Sequence, residues 1–154
     1  MDPLEVATYA THTLFAGLWT GSVLFVTCGI LPGARDGKFN AEPLQLIAGK
    51  LTTISRVSAV LLFLTGSHMA AARYTTETLT GSQPGYLVLT MLTFWLFLAA
   101  TTEVATSKLT AGTERDKVRQ PARNARRFFL LASFFAALLL VNAGLLSAHS
   151  AGFL

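Results

Sequence analysis

His12-Thr-Leu-Phe-Ala-Gly-Leu-Trp-Thr-Gly-Ser-Val-Leu-Phe-Val-Thr-Cys-Gly-Ile-Leu-Pro32 decides the fold class of this chain. The stretch carries no Asp, Glu, Lys or Arg and is long enough to cross a hydrocarbon core of about 30 Å as a helix. Upstream, Asp2-Pro3-Leu4-Glu5 has the form of a helix start, with a capping acid, a proline for the first turn and Glu5 placed for a capping box. Span one is therefore expected from about Leu4 to Leu31, with Pro32-Gly33 stopping it. The acidic N-terminus and the length of the apolar run are unlike a cleaved leader, which has a basic start and a core of about 7–15 residues.

The whole chain agrees with that reading. Of its 154 residues, 52% are hydrophobic and 13% charged, against roughly 25% charged in soluble domains. Its mean hydropathy is +0.52. A single cysteine, Cys28, excludes an internal disulfide and a CxxC metal site. Three further apolar segments follow, at about 44–74, 84–110 and 127–150. The expected architecture is all-α, a four-transmembrane-helix bundle in one membrane domain covering 1–154.

Charge sets the expected topology. The first and third connections, with the helix ends that flank them, hold Arg35, Lys38, Lys50, Arg56, Lys108 and the run from Arg115 to Arg127; the opposite side holds only Arg73. The positive-inside rule then puts both termini outside. The basic third connection suits anionic lipid headgroups rather than nucleic acid.

Ionisable groups inside spans are costly and so are functional candidates. They fall into two sets. His12 lies roughly 13 Å from the start of span one and His68 roughly 9 Å from the end of span two, at 1.5 Å per residue. His149 ends span four. The three histidines of the chain thus belong to its outer half, with Met91 at a similar depth and Tyr9 one turn from His12. Neutral imidazole binds copper, zinc or haem iron, and a thioether favours Cu(I). His12 and His68, on neighbouring spans, are candidates for one metal ion with Met91 assisting. His68 and His149, with His12, are candidates for haem b. An imidazole near an interface also hydrogen-bonds a threonine or a carbonyl in many helices, and that reading stands beside the others. The second set, nearer the inner face, is Lys50 and Arg56 opposite Glu103, expected as a buried ion pair between spans two and three. Gly17 and Gly21 form a GxxxG pair about 140–180° around the helix from His12, a face for close helix approach in a homo-oligomer or a larger membrane complex.

His12 with Leu18-Trp19-Thr20-Gly21 and Pro32 resembles the first span of the copper-resistance D (CopD) membrane proteins. Arg56-Val-Ser-Ala-Val-Leu-Leu-Phe-Leu-Thr65-Gly66 resembles that family's second span, Gly85-Tyr-Leu-Val-Leu89 the start of its next, and Arg126-Arg127 the entry to span four. The His and Trp-x-Gly opening also resembles the membrane protoporphyrinogen oxidases of haem synthesis. Both families tend to carry a lysine in the third span, where this chain reads Thr90-Met91-Leu92 and has none before Lys108. The resemblance implies a helical protein of the plasma membrane handling copper, as a transporter or accessory rather than an enzyme, or else a b-type haem protein. A third reading is an accessory subunit without a cofactor.

Overall fold

A computed structural model describes residues 2–153 and is helical almost throughout. Helix α1 (Pro3–Phe25) passes into a π-helical turn (Val26–Ile30) and then α2 (Leu31–Arg35). Next come α3 (Ala41–Arg73), the short α4 (Thr76–Gly81), α5 (Gln83–Thr113) and α6 (Arg119–Ser150). Counting α1 to α2 as one rod, four helices of 31–33 residues are long and apolar enough to cross a membrane.

Local chemistry explains most of these boundaries. The Asp2 carboxylate accepts the Leu4 N–H at 3.2 Å, and Pro3 occupies the first turn. Pro32 does not end the first rod as the sequence suggests. Proline lacks an N–H and crowds the carbonyl four residues back. The π turn absorbs this by letting the Leu31 N–H bond to the Val26 carbonyl, five residues back. The helix then runs on to Arg35. Thr75 and Thr78 form a reciprocal capping box over α4, in the connection between the second and third expected spans. α6 starts at Arg119, two turns before Arg127, because Pro121 suits its first turn and costs no hydrogen bond there.

The helices form a ring in chain order. α1 packs on α3, α3 on α5, α5 on α6, and α6 closes back on α1. Their core seams follow alternating steps of three and four residues, the spacing of left-handed bundle packing. On α3 the seam is Leu44, Ala48, Leu51, Ser55, Ser58 and Leu62; on α6 it includes Ala125, Phe129, Ala132 and Ala136. Small residues let the backbones approach, which is how membrane helices gain contact when lipid is as apolar as their side chains. A Cβ on Gly112 would overlap the Pro121 ring, so glycine is required where α5 meets α6. Large apolar groups such as Leu14, Phe25, Leu64, Leu96 and Val141 point outward.

The two ends of the bundle differ. The termini and α4 share one end, here the terminal end. The connections 36–40 and 114–118 share the other, the basic end. Near it, Thr27 Oγ1 donates to the Val23 carbonyl at 2.8 Å and reaches the Phe129 carbonyl at 3.3 Å, while accepting the Ser133 hydroxyl at 2.8 Å. That polar clasp joins first helix to last.

Candidate functional site

His12 is half-buried on α1, and its partner is on α3. Its Nδ1 lies 2.8 Å from Thr65 Oγ1. The Thr65 hydroxyl in turn lies 2.6 Å from the Leu61 carbonyl, which accepts its only proton. Thr65 is therefore the acceptor toward His12, and Nδ1 carries the imidazole hydrogen. In a neutral ring this leaves Nε2 with a free lone pair, and Nε2 has no hydrogen-bond partner among the described residues. The edge of the same ring lies against Gly66, where a Cβ would sit 3.2 Å from His12 Cε1. The Thr65-Gly66 pair thus both holds the imidazole and makes room for it.

The other candidates gather less tightly. His68 lies one turn beyond Thr65 toward the terminal end, and its side chain is exposed. Met91 is half-buried on α5. It stands one turn nearer the terminal end than Trp95, whose indole donates to the Ala59 carbonyl of α3 at 3.2 Å, so it falls near the level of Thr65. His149, half-buried, lies in the last turn of α6. All four belong to the terminal half of the bundle. Among the described residues no three His, Cys, Asp or Glu side chains are grouped as a metal site, which is unlike the four-ligand cage of a structural zinc. The donors available are two imidazoles and a thioether, a neutral set that fits Cu(I). Cys28 is exposed at the π turn, toward the basic end.

Arg56 and Glu103 do form an ion pair, bidentate through Nε and Nη2, with the Nε contact at 3.2 Å. It is not buried: the side chains are 67% and 47% exposed on the flank of the α3–α5 seam. The reason is angular. Core positions on α3 are Ser55 and Ser58, so Arg56 turns outward. Lys50 is exposed and makes no ion pair among the described residues. Thr52, Thr106, Ser107, Thr110 and Glu114 continue from the pair as an open polar groove of about 470 Å³ toward the basic end. Gly17 and Gly21 lie on an exposed face of α1, with nothing within 4 Å of where a Cβ would stand.

Two features are harder to see in the sequence. One is the role of Thr65, which stands in a recognisable stretch but gains meaning only from the α1–α3 register. The other is a set of polar atoms in the core. Among the described residues, and besides Arg35 Nε, the buried side-chain atoms without a hydrogen-bond partner are Trp19 Nε1, Ser58 Oγ, Thr102 Oγ1 and Asn142 Oδ1. An unpaired buried polar group costs about 1–3 kcal/mol. The available signal is that serine, threonine and asparagine occupy seam positions where the three-four spacing calls for apolar residues.

No protein-family model, no curated protein and no solved structure matches this chain.

Proposed function

We propose that the protein handles copper in the plasma membrane, as a transporter or accessory, with His12 as the principal ligand and His68 and Met91 as its partners. The observation that carries this reading is the imidazole of His12: Nδ1 is engaged by Thr65, and Nε2 keeps its lone pair without a protein partner. Metal-bound histidines characteristically donate their second nitrogen to an oxygen acceptor, which fixes tautomer and orientation. The half-buried thioether of Met91 near the same level adds a soft donor suited to Cu(I). The orientation that goes with this reading has the terminal end outside and the basic end in the cytoplasm, since Arg119, Arg123, Arg126 and Arg127 crowd the latter. Copper would then meet His12 from the outside.

Metal analysis with a visible spectrum on the detergent-purified protein tests the reading. Copper that binds the wild type and is lost in His12→Ala supports it, and copper binding unchanged in both His12→Ala and His68→Ala overturns it. A Soret band that disappears with His68→Ala or His149→Ala would replace it with the haem b reading. The open glycine face of α1 supports assembly with a second copy or a larger membrane complex.

A further inference from the structure

Two cations from different helices share one aromatic ring near the basic end. Lys108 Nζ, on α5, stands 5.3 Å from the centroid of the Phe128 ring, and Arg127 Cζ, on α6, stands 4.9 Å from it. The ring is half-buried at the α5–α6 seam, while both charged side chains are exposed. An aromatic face attracts a cation, but two cations on one ring also repel each other. Arg123 adds a third positive charge one turn nearer the basic end, at the spacing where like charges on a helix are destabilising. Nothing of opposite sign offsets the three. The first turn of α6 holds no acidic residue. On α5, Glu103 and Glu114 belong to a different stripe, which faces the groove toward α3 together with Ser107 and Thr110. Among the described residues the only ion pair joins Arg56 to Glu103.

Deeper along the same seam the surface turns apolar. Val104 stands one turn in from Lys108, and Leu131 and Phe134 stand one and two turns in from Arg127; all three are exposed. The two stripes stay side by side. Phe128 joins them near the basic end. About two turns further in, roughly 10 Å, Phe97 of α5 stacks on Phe135 of α6 with centroids 5.0 Å apart, and Phe134 meets Phe135 edge-on. Phe128 is also a boundary in the sequence. Arginines recur on α6 up to Arg127, and from Phe128 to Ser150 it carries no Asp, Glu, Lys or Arg. In a bilayer crossed by these helices, the ring and its two cations thus stand where headgroups meet hydrocarbon.

We propose that Lys108, Arg127 and Phe128 form a binding site for the phosphate of an anionic phospholipid, whose acyl chains lie along Val104, Leu131 and Phe134. The cations call for an anion and the stripe beneath them for hydrocarbon, and such a lipid supplies both in that order. A free phosphate would leave the apolar stripe uncovered. A second copy docked here about a two-fold axis would set like charges against each other. A choline lipid would add one more cation to a site that already holds three. The general attraction of a basic end for an anionic leaflet follows total charge; this site depends on which two charges flank the ring. It is separate from His12 and requires no metal.

Native mass spectrometry of the full chain in detergent, titrated with phosphatidylglycerol or with phosphatidylcholine of the same acyl chains, tests the site. The wild type is expected to prefer phosphatidylglycerol. Lys108→Gln with Arg127→Gln should weaken that binding by about tenfold or more, since each basic residue near an anionic surface contributes a fewfold. Arg115→Gln with Lys117→Gln removes the same charge from the basic end and should leave the affinity unchanged. Circular dichroism checks that the helices persist, and the single substitutions, each at an exposed position, stand in if the double variant unfolds. Equal affinity of the wild type for the two lipids overturns the site. So does an equal loss in the two double variants, because the attraction is then diffuse. Displacement of phosphatidylglycerol by millimolar inorganic phosphate also overturns it, because the site then takes a free anion and makes no use of the acyl chains.

Discussion

At the scale of single residues, the sharpest feature is a tautomer. Because Thr65 gives its proton to Leu61, the His12 ring must donate from Nδ1. We expect ¹⁵N NMR of neutral, metal-free protein to assign the protonated nitrogen of His12 to Nδ1. Thr65→Val should lose that preference and Thr65→Ser should keep it. A ring protonated at Nε2 in the wild type would contradict the geometry. Gly66 makes a second, steric prediction. A methyl there would stand 3.2 Å from Cε1, so the ring must yield by a few tenths of an ångström. Gly66→Ala should weaken copper binding by displacing Nε2, at a stability cost of about 1–3 kcal/mol typical of overpacking. Metal titration and thermal unfolding of the variant separate the two effects. The imidazole was visible in the sequence as an ionisable group inside a span. Its partner was not, because which residue of α3 meets His12 depends on the tilt and register of two helices.

Among the elements, the contact between first and last helices is the one most open to measurement. Thr27 and Ser133 bond at 2.8 Å across the ring. Interhelical hydrogen bonds in membranes average about 0.6 kcal/mol by double-mutant cycles, with a maximum near 1.7. Thr27→Val with Ser133→Ala should therefore give a coupling energy of about 0.6 kcal/mol in a reversible unfolding assay, and zero coupling would mean that the bond does not form. The π turn beside Thr27 explains why Pro32 misleads a reading of the sequence. A proline usually ends a helix or kinks it. Here one wider turn makes up for the missing donor, and the rod continues to Arg35. Periodicity predicts the existence of each long helix well, but a local change from four- to five-residue bonding leaves no periodic trace. The Arg56–Glu103 pair teaches a related lesson. Depth along the helices predicted the partners, whereas angle around the helix decided that they lie outside the core.

For the whole molecule, length and apolar content were enough for an all-α bundle of four membrane-length helices, since apolar runs this long pair their own backbone groups as helices, whereas a barrel strand needs only about 9–11 residues. They were not enough to order the core, because apolar seams tolerate several registers and the few polar seam residues decide among them. The charge asymmetry between the ends leads to a direct prediction. In a Cys28→Ser background, Thr80→Cys in α4 should react with an impermeant maleimide added to intact cells, and Lys117→Cys should react only after permeabilisation. The opposite pattern would reverse the proposed orientation and move His12 to the cytoplasmic half.

The contact between His12 and Thr65 also has a place in time. Both residues belong to the first two long helices, so a ribosome completes this pair before it has made α5 or α6. The imbalance between halves is then a schedule: the imidazole can be set while the nascent chain is a lone hairpin, whereas the bond between Thr27 and Ser133 waits for the final helix to arrive and shut the ring.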